Sequence, residues 1–196
     1  PYELAAHDLL LISDSNVRVG PDYLRRLAAQ MGEGVGVITS VVAGTSAEGL
    51  GGALEATYLN TFYARGLSLA FLFGKPCVIG KSMMFRKSVL DRVGGMRAMA
   101  RYVAEDFIIG EEMRKLGLKV KLAVDPIAQH IGQYNFASFW SRHLRWGRIR
   151  KAHAPVAFLF EPISSSFLAS LAGACAFSSL WGYSFDLVFA AQFLLF

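Results

Sequence analysis

Every lysine and arginine of this chain, 20 in all, lies within residues 1–153, and residues 154–196 carry only two acids, Glu161 and Asp186. The first part holds 13 acids and a net charge of +7, and the second a net charge of −2. The first part can dress a solvated surface in charge and the second cannot, so an evenly solvated globule is not expected. Residues 163–181 form 19 consecutive positions without a charge, close to the roughly 20 that cross a hydrocarbon core. Pro162 and the Ser, Ala and Gly content fit a helix packed within a membrane better than one bathed in lipid. GYSFD reads as a turn, and Leu187 opens a second span. Arg142, Arg145, Arg148, Arg150 and Lys151 precede the first span and place residues 1–153 on the cytoplasmic side. A buried core helix is the alternative reading of the same run.

Hydrophobic residues make up 54% and charged residues 18%, with a mean hydropathy of +0.38. These values exclude a disordered chain, a coiled coil and a nucleic-acid-binding tail, all of which need more charge. The isoelectric point near 9.4 arises beside an apolar tail, so a membrane surface is the expected partner and nucleic acid is not. Cys77 and Cys175 are too few for a disulfide scaffold. The chain opens without an initiator Met and stops inside an apolar run at Phe196. We expect an internal piece of a longer protein.

Residues 8–13 (DLLLIS) read as a buried parallel strand, DSNVRVGP as a loop, PDYLRRLAAQM as a helix opened by Pro21, and residues 35–39 (VGVIT) as a second strand. Strand, loop, helix and strand make a βαβ unit, hence a parallel sheet with helices on its faces. Residues 49–64 read as a helix, 77–85 as a strand, RKSVLDRVGG as a short helix, 104–116 as an amphipathic helix closed by Gly117, and 119–124 as a strand. Residues 135–153 (NFASFWSRHLRWGRIRKAH) read as a basic helix at a membrane interface, with Phe136, Phe139, Trp140, His143, Leu144 and Gly147 near one face.

Three places carry candidate chemistry. Asp14 sits just past a strand end, where open α/β sheets place ligands, and its carboxylate suits a divalent cation on a diphosphate; a local Asp turn is the structural alternative. Glu105 and Asp106 open a helix. They are either dipole partners or, in a pocket that sets the pKa, a general base and its neighbour. Arg142 and Arg145 are three apart and share a helix face, so two guanidiniums there suit a diphosphate, with Trp146 as a flat platform for sugar or lipid. Interfacial anchoring accounts for the same residues equally well. The four histidines lack metal-ligand spacing. Cys77 reads as core, and Ser82 in GKSMMF does not complete a P-loop.

In order along the chain, ISDSNVRVGPDYL, KPCVIGKSMMFRKSVLDRVGG, YVAEDF, SRHLRW and EPISSSFLASL resemble the ceramide glucosyltransferase family over nearly the whole chain. The resemblance implies an α/β fold: a GT-A Rossmann-like mixed, mostly parallel sheet with C-terminal transmembrane helices. It divides the chain into a catalytic domain (1–134), an interfacial helix (135–153) and a membrane hairpin (154–196). It implies an inverting transferase of glycolipid biosynthesis that moves glucose from UDP-glucose to ceramide or a similar membrane lipid, with a divalent metal, Mn or Mg. Carried over by motif, Asp14 binds metal and diphosphate, Asp106 is the general base, and Glu105 shapes the site. Arg142, Arg145 and Trp146 match (Q/R)xxRW and hold the diphosphate and line the acceptor entrance. Cys77 matches a cysteine near the site. The Asp-Ser-Asn sequence lacks a second carboxylate, and the family's first aspartate is expected upstream of residue 1. The expected location is an integral membrane one with the catalytic domain cytoplasmic, in a bacterial inner membrane or, for a eukaryote, the Golgi. Transfer to a hopanoid or another lipid, with N-acetylglucosamine as one such sugar, a processive polysaccharide synthase, and a non-catalytic nucleotide-sugar-binding module are the competing readings.

Overall fold

A computed structural model describes residues 2–162 and 167–195. The chain forms two compact units, Pro1–Trp140 and Ser141–Phe196. The elements of the first are β1 (Leu9–Ser13), β2 (Val17–Arg18), α1 (Tyr23–Ala29), β3 (Val35–Thr39), β4 (Val42–Glu48) and α2 (Gly49–Tyr58). A π-helical turn, Leu59–Tyr63, joins α2 to α3 (Ala64–Leu72). Then come β5 (Ser82–Arg86), α4 (Lys87–Asp91), α5 (Gly95–Met99), α6 (Glu105–Lys115), β6 (Lys119–Leu122) and β7 (Ile127–Gln133). Helix α7 (Phe136–His153) begins in the first unit and continues in the second, where α8 (Pro155–Pro162), α9 (Leu168–Trp181) and α10 (Phe185–Leu195) follow.

The first unit carries two mixed sheets, in the orders β1-β5-β3-β6 and β2-β7-β4. β3 runs parallel to β6 and β4 to β7, whereas β1–β5, β3–β5 and β2–β7 are antiparallel. The expectation of a mostly parallel sheet is therefore corrected. β1 and β3 do not pair as a simple βαβ unit predicts, because β5 lies between them and runs against both. β1 is an edge strand, half-buried along residues 9–12, rather than a buried interior one. Local periodicity reports that a segment is apolar but not which distant strand it meets.

β5, like β3, is a buried strand. Met83, Met84 and Phe85 are almost completely excluded from water. Val37, Val78, Leu90, Met99, Ile109 and Met113 complete the core with Met83 and Phe85. α6 forms where 104–116 predicts it, with Glu105 and Asp106 in its first turn and Arg114 and Lys115 in its last, as the helix dipole favours. Gly117 follows at φ +75°, and its N–H returns to the Arg114 carbonyl, a left-handed close that glycine adopts without steric cost. The expected strand at 77–85 is shorter: residues 75–79 have no regular structure and β5 starts at Ser82. Cys77 thus precedes the strand instead of lying in it. The helix expected at 49–64 extends to Leu72 through the π turn.

The second unit, taken by itself, has its polarity turned inside out. Large apolar side chains are exposed on α8, α9 and α10, among them Leu159, Phe160, Leu180, Trp181 and Leu187. Ser170 and Ala174 on α9 are completely buried, and Gly173 sits so close to the Gln192 side chain of α10 that a Cβ there would clash with it. Small residues thus line the α9–α10 contact, while large apolar side chains face outward. Residues 163–166, the start of the expected first span, lie outside the described residues. Among the described residues no helix is long and apolar enough to cross a membrane.

Candidate functional site

Asp14 follows the carboxyl end of β1, and Asp106 is the second residue of α6. They are far apart in sequence, and one dipeptide between α3 and β5 joins them. The Gly80 N–H donates to Asp106 Oδ2 at 2.7 Å. The next residue, Lys81, accepts the Asp14 N–H on its carbonyl at 3.1 Å and donates from Nζ to Asp14 Oδ2 at 2.6 Å. Its ammonium also reaches Asn16 Oδ1 at 3.3 Å. The structure brings the two predicted carboxylates into one cluster with Lys81, and Glu105, half-buried, stands beside Asp106.

The dipeptide is pinned from both sides. Upstream, Thr39 at the end of β3 exchanges two hydrogen bonds with Ile79: its hydroxyl donates to the Ile79 carbonyl at 3.1 Å and accepts the Ile79 N–H at 2.9 Å. Downstream, the buried Tyr23 hydroxyl is 2.6 Å from Ser82 Oγ and 2.9 Å from Ser40 Oγ. Such a satisfied buried polar node fixes its members because breaking it strands groups without water. α6 closes on the same segment through a glycine. A Cβ on Gly110 would lie 2.8 Å from Val78 Cγ2, and one on Gly80 would lie 3.2 Å from Asp106 Oδ2. Side chains at either position would push Asp106 and residues 78–80 apart.

Asp106 is half-buried, and desolvation pushes its carboxyl above the ordinary carboxylate range. Backbone N–H groups, including those of Gly80 and Phe107, pull the other way, and the nearby Asp14 charge adds a further upward push. A raised carboxyl pKa is what a general base needs to take a proton near neutral pH. Burial, with Asp106 and Glu111 nearby, pushes the Cys77 thiol up to about 12. Cys77 is therefore close to Asp106, and it is a neutral thiol rather than a nucleophile.

The arginine–tryptophan motif lies in the second unit. Arg142 places its guanidinium 4.5 Å from the centre of the Trp146 ring, and the His143 ring meets Trp146 edge-on at 5.4 Å. Arg142 is half-buried in this stack, whereas Arg145 is exposed. The two arginines thus have different surroundings, and one face of the Trp146 platform is covered by Arg142. Arg150 pairs with Glu161 at 2.7 Å. An open cleft of about 450 Å³ in the first unit, between the β4–α2 junction and residues 133–136, is lined by neither aspartate.

The described residues around Asp14 do not build a dedicated divalent-cation site. One of its two carboxylate oxygens is held by an ammonium, and Asn16, two residues on, is neutral. Among the described residues no group of three His, Cys, Asp or Glu side chains gathers, whereas dedicated sites of this kind use several oxygen ligands. Lys81 is the functional candidate that sequence reasoning missed. The glycine spacing of GKS excludes a P-loop, and nothing local in the sequence ties Lys81 to Asp14.

Comparison with known proteins identifies the family of the chain. The family described as glycosyl transferase family 21 matches residues 1–195. Ceramide glucosyltransferase 1 of Caenorhabditis elegans is 30% identical over 185 residues, covering 93% of this chain and 40% of the worm protein. Ceramide glucosyltransferase 3 of the same worm is 30% identical over 183 residues, 92% of this chain and 40% of its own length. Ceramide glucosyltransferase of Candida albicans is 28% identical over 170 residues, with 67% of this chain and 31% of the yeast protein covered. The chain thus spans less than half the length of these relatives. Because the family match runs over nearly every residue, this chain belongs to glycosyl transferase family 21.

Proposed function

We propose that the protein bearing this chain transfers glucose from UDP-glucose to the hydroxyl of ceramide or a similar membrane lipid, with inversion. The observation that carries the reading is the Gly80–Lys81 link, which sets a half-buried Asp106 with a raised pKa beside Asp14. The names of the relatives supply the sugar and lipid class. In this mechanism the Asp106 carboxylate takes the proton from the lipid hydroxyl. The oxygen forms a bond to the anomeric carbon from the face opposite the diphosphate. The bond from that carbon to the UDP oxygen breaks, and its electron pair leaves with UDP. One such displacement turns an α-linked donor into a β-glycoside. No step is routed through a metal: the described residues build no dedicated cation site at Asp14, and Lys81 holds one of its carboxylate oxygens.

Arg145, exposed, binds donor diphosphate in this reading, where bidentate guanidinium contacts suit developing charge. Arg142 holds the Trp146 ring, and that ring lines the acceptor entrance. Glu105 shapes the site next to Asp106. The inside-out polarity of the second unit supports a membrane setting, and the basic run before it supports a cytoplasmic catalytic unit. Phe136, Trp140 and Leu144, four residues apart on α7, are all exposed and support an interfacial helix.

Mass spectrometry of lipids from cells expressing the full-length protein tests the reading. Ceramide feeding with intracellular UDP-glucose is expected to yield hexosylceramide. Glycosylated hopanoid, a polysaccharide product, or no product despite nucleotide-sugar binding each overturns it in favour of the corresponding alternative.

A further inference from the structure

Lys81 is more deeply set than the acid it pairs with. Its side chain is 14% exposed and that of Asp14 is 47% exposed. The ammonium has three N–H donors. Two go to Asp14 Oδ2 at 2.6 Å and Asn16 Oδ1 at 3.3 Å, and the third has no protein acceptor among the described residues. Asn16 is held in the matching orientation, since its amide N–H donates to the His130 carbonyl at 3.3 Å and leaves its oxygen for Lys81. The backbone on either side of Lys81 is fixed by Thr39 and by the Tyr23–Ser82 contact. Lys81 is therefore a positioned cation and not a solvated surface lysine.

Charge explains what such a cation does. Asp14 and Asp106 together present two negative groups, and a diphosphate brings at least two more. Like charges in a partly buried place repel strongly, so some positive charge must stand there before a diphosphate can bind. A divalent ion held by one or two carboxylates and the phosphates themselves is one solution. Here the position two residues after Asp14 is a neutral asparagine, and the carboxylate itself faces an ammonium. Lysine binds phosphate as a point charge.

We propose that Lys81 is the resident cation of this site. It occupies the place beside Asp14 that a divalent ion would take and receives the donor's diphosphate, so nucleotide binding does not depend on a divalent metal. The inference rests on the UDP-sugar reading above.

The test is UDP binding by the full-length protein, measured by isothermal titration in EDTA and in MnCl2, for the wild type, Lys81→Met and Lys81→Arg. The wild type and Lys81→Arg are expected to bind UDP with affinities that agree within about threefold in the two buffers. Lys81→Met is expected to lose about tenfold or more in EDTA, the scale of a charge-assisted contact. A wild type whose affinity falls tenfold or more in EDTA overturns the inference and leaves the donor reading standing. So does a folded Lys81→Met, checked by thermal melting, that matches the wild type in EDTA. If Lys81→Met does not fold, the wild-type and Lys81→Arg titrations alone decide. A wild type that binds no UDP in either buffer overturns the donor reading and this inference together.

Discussion

Asp106→Asn separates the chemical role of Asp106 from its structural one. The carboxylate accepts the Gly80 N–H at 2.7 Å and the Phe107 N–H at 2.8 Å. Asparagine has nearly the same volume and keeps one acceptor, but its amide group turns the second acceptor into a donor. One hydrogen bond to a charged group is lost, at a cost of about 1.5–3 kcal/mol. The burial penalty on the ionised carboxyl disappears with it, so folding stability at neutral pH changes by less than about 2 kcal/mol. The pH dependence has a definite sign. A carboxyl whose folded pKa is raised adds stability below its unfolded pKa, and that stability is lost as pH rises through the folded value. The variant loses this dependence. Turnover behaves differently, because an amide cannot accept the hydroxyl proton. The rate is expected to fall by about a hundredfold to ten-thousandfold, which is about 2.7–5.5 kcal/mol on the barrier. The assay is initial-rate transfer from UDP-glucose to ceramide in mixed micelles by the full-length protein, alongside thermal melting and UDP titration. Donor binding is expected to stay nearly intact. A folded variant with turnover within about tenfold of the wild type would refute the base assignment.

Gly110→Ala is expected to cost about 1–3 kcal/mol, because Val78 must retreat from a Cβ that would sit 2.8 Å away. The same retreat loosens the Gly80–Asp106 bond, so activity falls together with the melting temperature; an unchanged melt would show that the close approach is relaxed at no cost. Asp14→Asn is expected to move the acidic limb of the rate profile to lower pH. The base must be ionised, activity is lost as pH falls through its pKa, and the Asp14 charge is one of the things holding that pKa up. A limb that stays in place or moves upward refutes the electrostatic link between the two aspartates.

Local pattern alone determined much about this chain. The amphipathic spacing and end charges of 104–116 placed α6 almost to the residue, because both signals act within a single turn of chain. The absence of any lysine or arginine after residue 153 marked the second unit as different in kind, and the exposed apolar side chains of α8, α9 and α10 agree with it. The ordered motifs led to the family that residues 1–195 match. β4 and β7 went unread because VAGTSAE and IAQHIGQ lack clean alternation and gain their pairing from each other. Pairing also decided the sheet. Nothing in LLLIS or SMMFR says that the second inserts between β1 and β3 and runs against both. The cluster of Asp14, Asp106 and Lys81 is of the same kind. Each residue is ordinary in its own neighbourhood, and the site exists because hydrogen bonds from Thr39 and Tyr23 hold residues 79–82 between two strand ends and the start of a helix. Such contacts join positions distant in sequence, so only the folded chain shows them.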